Sequence, residues 1–223
     1  VGITENITIE LINSGVDVIT TGNHVWDQKE TYNFISTQNR LLRPFNLTNE
    51  SPGKGFEIFK SRNGFKIGVL NLMGNIFMKK CDDVFVSAKN FLKNNKLKDQ
   101  FDFLIVDFHG EITSEKMAIG HIFDGFATLV VGTHTHIPTN DARVLTNGTA
   151  YLTDAGMCGD YNSVIGMDKE NSINRFFKKE SKKHFPAKGE ASLAGLIVNA
   201  NPNNGLANKV NSLIFGGALQ KIY

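Results

Sequence analysis

The sequence has few cysteines, few prolines, no long apolar run and almost no excess charge. Its 223 residues include two cysteines and five prolines, and 24 basic against 22 acidic residues give a formal net charge of +2. Two cysteines cannot form a disulfide framework, so we expect reduced thiols and a cytoplasmic protein. Apolar stretches such as residues 103–106 are far shorter than the ~20 residues of a membrane span. Without a basic stripe, nothing indicates a nucleic-acid partner.

The pattern of helices and strands predicts one α/β domain. Apolar residues make up 41% of the chain, enough for a globular core. The first predicted helix is capped by Thr4 and ends at Gly15, with an apolar face of Ile3, Ile7, Leu11 and Ile12. Further helices are predicted over residues 27–38, 82–94 and 113–122. Extended segments are predicted over residues 16–19, 55–60, 65–72, 101–107, 127–131, 142–145, 149–153, 192–199 and 209–215. No repeat or linker divides the chain, so we expect a single domain over residues 1–223 with a mixed sheet.

Three polar clusters follow predicted strands, at the edge where open α/β sheets build their sites. They are Asn23 with His24, the single His109, and the His-x-His pair formed by His134 and His136. Imidazole is the commonest transition-metal ligand in proteins, and the three clusters together favour a metal site. The remaining two histidines, His121 and His184, are interpreted as structural or surface residues.

Asn23 and His24 suit two different tasks in such a site. The amide oxygen of Asn23 is a neutral ligand for a metal that must also hold phosphate. His24, the next residue, points elsewhere and can donate a proton to a leaving oxygen. The alternative interpretation is that Asn23 only caps the turn.

Several motifs resemble those of a known enzyme superfamily. Residues 22–24, His109 and residues 132–136 resemble three blocks of the calcineurin-like metallophosphoesterases. Longer segments are similar to the bacterial YmdB-type phosphodiesterases, namely residues 21–27, 43–46, 52–55, 107–116, 131–136 and 153–157. The resemblance extends over essentially the whole chain. It implies a four-layer α/β/β/α sandwich that hydrolyses phosphodiesters, including 2′,3′-cyclic nucleotides, at a dinuclear centre of iron or manganese.

The resemblance also implies a role for each motif residue. Asn23, His109 and His134 would bind one metal ion, His136 would bind the other, and His24 would be the proton donor. The family's other ligands, an N-terminal Asp and a Glu-Asn pair, have no counterpart here. We therefore expect that residues 1–223 lack the N-terminal strands of the fold, and that alone they are poorly soluble, bind fewer than two metals and lack activity. Candidates for orienting the histidines are Asp107, Glu111 and Asp154, which can equally be ordinary capping or solvated carboxylates.

Two alternative functions stay open at this point. The metal core of the fold does not distinguish phosphomonoesters from phosphodiesters, so a phosphomonoesterase or nucleotidase is the second enzyme hypothesis. A non-catalytic regulatory protein with a vestigial metal site is the third hypothesis, although all five motif residues are intact. The expected partner is a small phosphodiester or nucleotide rather than a membrane or nucleic acid, and a homo-oligomer is compatible with the sequence.

Overall fold

A computed structural model describes residues 1–48, 50–178 and 183–221 and shows a mixed α/β fold. The helices are α1 (Glu5–Asn13), α2 (Thr31–Phe34), α3 (Val84–Asn94), α4 (Thr113–Ile122) and α5 (Lys169–Phe176). The strands are β1 (Ile19–Thr20), β2 (Leu41–Leu42), β3 (Phe56–Lys60), β4 (Lys66–Met73), β5 (Phe103–His109), β6 (Leu129–Thr133), β7 (Arg143–Val144), β8 (Ala150–Leu152), β9 (Leu193–Ala200) and β10 (Ala207–Phe215). The predicted α/β class is confirmed.

The central sheet has six strands in the order β3-β4-β5-β6-β8-β7. Strands β4, β5, β6 and β8 are parallel, while β3 and β7 are antiparallel to their neighbours, which makes the sheet mixed as predicted. Strands β1 and β2 form a separate parallel pair, and β9 and β10 form a separate antiparallel hairpin. The parallel strands end at a common edge.

Alternate side chains of a strand point to opposite faces of the sheet, and the two faces of the central sheet pack against different elements. On one face, residues such as Leu104, Val106 and Phe108 pack against buried side chains of α3 and α4. On the other face, Leu129 and Ala150 pack against the β9–β10 hairpin. The described residues thus form helix, sheet and hairpin layers, in line with the layered arrangement that the family resemblance implies.

Helix α1 begins and ends as predicted but buries a different face. Thr4 accepts a hydrogen bond from the backbone N–H of Ile7, and Gly15 follows the helix with φ 104°. Ile12 packs on a cluster that includes Ile19 and Leu41. The predicted apolar face is wrong in part, because Ile7 is 44% exposed and Leu11 37% exposed. The helix instead buries Thr8, whose hydroxyl is bonded to the Thr4 carbonyl.

The predicted helix over residues 27–38 is wrong except at α2. Residues before α2 form tight turns, with backbone bonds from Val25 to Gly22 and from Asp27 to His24. The Asp27 side chain is bound by Lys79, which lies 52 residues away, so a tertiary contact fixes this segment. The predicted strand over residues 16–19 is also largely wrong, because β1 begins only at its last residue. Strand β2 and helix α5 were not predicted.

Strands β5 and β6 each extend two residues beyond the ends predicted from sequence. The pairing of β4 with β5 continues to Met73 and His109, and the pairing of β5 with β6 continues to His109 and Thr133. His109 is therefore the last residue of a strand rather than the start of a loop, and its backbone is held by ladders on both sides.

An open groove of about 940 Å³ runs along the second face of the central sheet. Its apolar floor includes Ile67, Ile105 and Val131, and Val18 and Thr20 lie along one side. Asp107 and Thr133 also line it. The groove therefore reaches the edge of the sheet at which His109 lies.

No helix in the described ranges is both long and apolar enough to cross a bilayer.

Phe91 of α3 is one of the buried side chains through which the helix layer packs on the sheet. It is 2% exposed and its ring lies 4.8 Å from that of Phe56 and 5.9 Å from that of Phe45. We expect Phe91→Ala to lower the free energy of unfolding by ~3–5 kcal/mol through lost burial and a residual cavity. Urea denaturation measures this loss. Val86→Ala, on the exposed side of the same helix, is the control and should change stability little. Equal effects of the two substitutions would contradict this account of the core.

Candidate active site at the carboxyl edge of the sheet

The register of the central sheet places three polar side chains together. His109 pairs with Thr133 and Asp107 pairs with Val131 in adjacent parallel strands. Residues two apart in a strand share a face, so Asp107 and His109 point to the same side of the sheet as Thr133. This is the face that carries the groove.

The β1–β2 pair brings Asn23 to the same place. Thr21 donates its backbone N–H to the Asn71 side chain of β4 at 3.4 Å, which anchors the end of β1 beside the central sheet. At Gly22, a Cβ atom would lie 2.2 Å from the His109 ring. The chain can pass this close to His109 only because Gly22 has no side chain.

Three potential ligand atoms converge at His109. Its Nε2 lies 2.9 Å from Asn23 Oδ1 and 3.2 Å from His134 Nδ1. On the other side of the ring, Nδ1 lies 3.1 Å from the Thr133 hydroxyl, which donates its own proton to Asp107 at 2.8 Å. Because that hydroxyl proton is committed to Asp107, the hydroxyl oxygen accepts from His109 Nδ1–H. The network therefore leaves a lone pair on Nε2, directed at Asn23 and His134.

Burial keeps these imidazoles neutral. Burial lowers the pKa of His109 to about 3, and the neighbouring His134 acts in the same direction. The pKa of His134 is also lowered, chiefly by burial, against the opposing effect of Glu111. Metal binding requires neutral imidazole, so both rings are in the ligating form at neutral pH.

Glu111 fixes the proton of His134 as Thr133 fixes that of His109. The Glu111 carboxylate lies 3.1 Å from His134 Nε2, so it accepts Nε2–H and leaves a lone pair on Nδ1. Asn23 Oδ1, His109 Nε2 and His134 Nδ1 then face one another with no proton between them. This repulsive arrangement of acceptors is one that a bound cation resolves.

The donor set fits one transition-metal ion. Two imidazole nitrogens and an amide oxygen are ordinary ligands for iron or manganese. Within the described part of the chain, no group of three or more His, Cys, Asp or Glu side chains is placed to hold a metal. The amide of Asn23 supplies the third donor.

The His-x-His turn has an unusual backbone. His134 has φ 109° and His136 has φ 68°, values that side-chain-bearing residues adopt rarely. His136 is not part of the contact between Asn23, His109 and His134. Its Nδ1 instead donates to the carbonyl of Ile165 at 2.8 Å. That bond leaves the other ring nitrogen, Nε2, with a lone pair.

His24 belongs to a separate chain of polar contacts. Its Nδ1 lies 2.7 Å from Asp27, and Lys79 donates to the other oxygen of the same carboxylate at 2.8 Å. The Lys79 hydrogen bond is the main cause that lowers the pKa of Asp27, and His24 adds to it. An ionised Asp27 accepts Nδ1–H and holds the ring, so that Nε2 is the atom free for proton transfer.

The family is decided by comparison with known proteins. The model of the family described as YmdB-like protein matches residues 1–213. The chain belongs to the YmdB-like family. The resemblance inferred from the motifs is thereby confirmed, and the match covers every candidate site residue.

Characterised and solved proteins agree with this assignment. The chain is 41% identical over 213 residues to a 2′,3′-cyclic-nucleotide 2′-phosphodiesterase of Bacillus subtilis (strain 168), a match covering 96% of this chain and 80% of that protein. The crystal structure of a hypothetical protein from Thermus thermophilus superposes with a TM-score of 0.88 at 35% identity, covering 97% of this chain and 83% of that one. The crystal structure of a novel phosphatase from Mycoplasma pneumoniae superposes with a TM-score of 0.86 at 34% identity, covering 96% and 77%.

Four of the five predicted site residues lie in the two contact networks, and several of their partners were missed. Asn23, His109 and His134 are in contact, His24 lies in the chain with Asp27, and His136 faces Ile165. The supporting residues that sequence reasoning did not name are Asp27, Lys79 and Thr133. Asp27, three residues after His24, was the only one with a local signal.

Thr133 is the residue that sets the proton position on His109. We expect Thr133→Val, which removes the hydroxyl and keeps the shape, to weaken Mn²⁺ binding ~10–100-fold because His109 loses its orienting acceptor. Isothermal titration of the metal-free protein with Mn²⁺ measures the change. Thr135→Val, two residues along, is the matched control because the Thr135 hydroxyl makes only a 3.5 Å contact with the Ile137 carbonyl. Unchanged affinity in Thr133→Val would show that the hydroxyl does not orient His109.

Proposed function

We propose that this chain hydrolyses 2′,3′-cyclic nucleotides, opening the ester bond to the 2′ oxygen in a metal-dependent reaction. The observation that carries the proposal is the convergence of Asn23 Oδ1, His109 Nε2 and His134 Nδ1, with His24 in the adjoining turn. The activity of the Bacillus subtilis relative, at 41% identity, supports this substrate class.

The metal ligands in this proposal are Asn23, His109 and His134 for one ion and His136 for a second, with iron or manganese as the metal. Such ions supply Lewis-acid stabilisation of the phosphate and lower the pKa of water to the neutral range. Neutral His109 and His134 bind without a charge of their own, so the site keeps a net positive charge for the phosphate. The free Nε2 of His136 supports its assignment to the second ion.

Two neighbouring cations also need an anionic ligand between them. The carboxylates described at the site are engaged elsewhere, Glu111 with His134 and Asp107 with Thr133. We propose, as the family resemblance implies, that a further carboxylate would complete the ligand set.

His24 is the proton donor in this proposal. When water displaces the 2′ oxygen from phosphorus, that oxygen leaves with negative charge and takes a proton from His24 Nε2. Asp27 holds Nδ1–H and orients the ring for the transfer, and Lys79 holds Asp27. The product is a nucleoside 3′-monophosphate, and His24 regains its proton from solvent.

A phosphomonoesterase or nucleotidase is the second candidate function. The structural similarity to a phosphatase of Mycoplasma pneumoniae favours it. A regulatory protein with a vestigial site is less well supported, since such a site has no need for two orienting networks, one around His109 and one around His24. We further propose a cytoplasmic location, which the two free thiols of Cys81 and Cys158 support.

The two histidine roles can be separated by substitution. We expect His134→Ala to lower bound metal, because it removes a ligand. We expect His24→Ala to keep the metal and to lose turnover by ~10²–10⁴-fold, the range for loss of a general acid. Both substitutions are made in a protein that shows the activity. Elemental analysis measures the bound metal, and steady-state rates measure turnover. His121→Ala, an exposed position in the last turn of α4, is the control. Equal metal loss in His24→Ala and His134→Ala would show that His24 is a ligand.

Substrate preference separates the two enzyme hypotheses. The two lysines that contact the site networks, Lys79 and Lys116, are each bound to a carboxylate and are therefore not free to hold a terminal phosphate dianion. We therefore expect 2′,3′-cyclic nucleotides to be hydrolysed faster than nucleoside monophosphates in the presence of Mn²⁺ or Fe²⁺. A substrate panel at neutral pH, with His134→Ala prepared in parallel to reveal contaminating activity, measures this. Faster phosphate release from monophosphates would favour the nucleotidase.

A further inference from the structure

A charged pair is buried directly behind the His-x-His turn. Lys116 of α4 and Asp154, which follows β8, are each 1% exposed, and Lys116 Nζ lies 2.6 Å from Asp154 Oδ2. Neither residue contacts the potential ligand atoms. A buried pair of this kind is weak evidence for stability, because the cost of removing both charges from water offsets most of their attraction. Its other hydrogen bonds indicate a different use.

Those bonds hold the backbone on both sides of His134. Lys116 Nζ donates to the Thr133 carbonyl at 2.9 Å, just before His134. Asp154 Oδ2 accepts from the Thr135 backbone N–H at 3.0 Å, just after it. The second oxygen of Asp154 accepts from the Gly156 N–H at 2.9 Å, which fixes the carboxylate itself.

The turn needs such support because its conformation is strained. His134 has φ 109°, a value that costs free energy for a residue with a side chain and persists only where the surroundings enforce it. Gly132 makes room for the arrangement, since a Cβ there would lie 1.7 Å from the Thr153 carbonyl and 3.1 Å from the Lys116 side chain. Helix α4, through Lys116, and the segment after β8, through Asp154, therefore both contact the backbone of the turn that carries His134.

We propose that the Lys116–Asp154 pair is a positioning device, which holds His134 in the strained conformation that directs Nδ1 toward His109 and Asn23. The proposal rests on the proposed metal-dependent function. Lys116 and Asp154 act through His134 and touch neither substrate nor metal. Loss of the pair should let the turn relax, so that His134 no longer presents its lone pair to the ion.

The experiment compares Lys116→Met, Asp154→Asn and the double variant in the full chain. Lys116→Met leaves the Asp154 charge buried and unpaired, so its melting temperature should fall furthest. In the double variant no charge is buried, and much of the lost thermal stability should return. We expect Mn²⁺ affinity to stay ~10–100-fold below the wild type in the double variant, as for loss of other residues that orient a ligand. Lys98→Met/Asp102→Asn, which removes an ion pair whose two side chains are each 31% exposed, is the control and should leave Mn²⁺ affinity unchanged.

Amide hydrogen exchange in the metal-free protein gives a second readout. The Thr135 N–H should exchange roughly tenfold faster in the double variant, because local opening of the turn becomes easier, while the Phe108 N–H in the middle of the sheet keeps its rate. Wild-type exchange at Thr135, or wild-type Mn²⁺ affinity once stability has returned, would overturn the proposal. If Lys116→Met does not fold, Asp154→Asn and the double variant decide the result. Failure of the wild type to bind Mn²⁺ would count against the proposed function instead, and the positioning role would then be judged on Thr135 exchange.

Discussion

The parallel, in-register pairing of β4, β5 and β6 is the constraint on which the site depends. It places His109 beside Thr133 and Asp107 beside Val131, and the alternation of side chains sends all the polar members of this set to one face. The opposite face packs against α3 and α4 through an apolar cluster. Polar groups at this edge are therefore held by backbone ladders that the core stabilises, and the ladders fix their spacing before any ligand is bound.

Close approach is the second condition, and two glycines permit it. Gly22 lets the segment after β1 pass within contact distance of the His109 ring, and Gly132 lets β6 lie against the segment after β8. A Cβ would lie 2.2 Å from its nearest neighbour at Gly22 and 1.7 Å from it at Gly132. Because these motif glycines have no side chain, the segments that carry Asn23 and the histidines can come into contact.

The two histidine networks differ in a way that matches the tasks proposed for them. His109 is partly buried, neutral and bound to a hydroxyl that is itself bound to a carboxylate, an arrangement that stabilises the lone pair of a metal ligand. His24 is about half exposed and contacts the ionised Asp27 directly, an arrangement that orients the ring and leaves it open to solvent. The same side chain can serve either task, and its surroundings select which one.

The sequence by itself determined the α/β class, the mixed sheet, the family and the motif residues, because strand periodicity and the spacing of short motifs are local properties. It did not predict that residues 27–30 form turns rather than a helix, or that Ile7 and Leu11 are exposed. Tertiary structure alone decided the proton positions on His109 and His134 and the pairing of Lys116 with Asp154. Asn23 and His109 are 86 residues apart, and Lys116 and Asp154 are 38 apart. Contacts over such separations arise from the sheet register and from the packing of α4 against the sheet, and neither leaves a periodic signal in the chain.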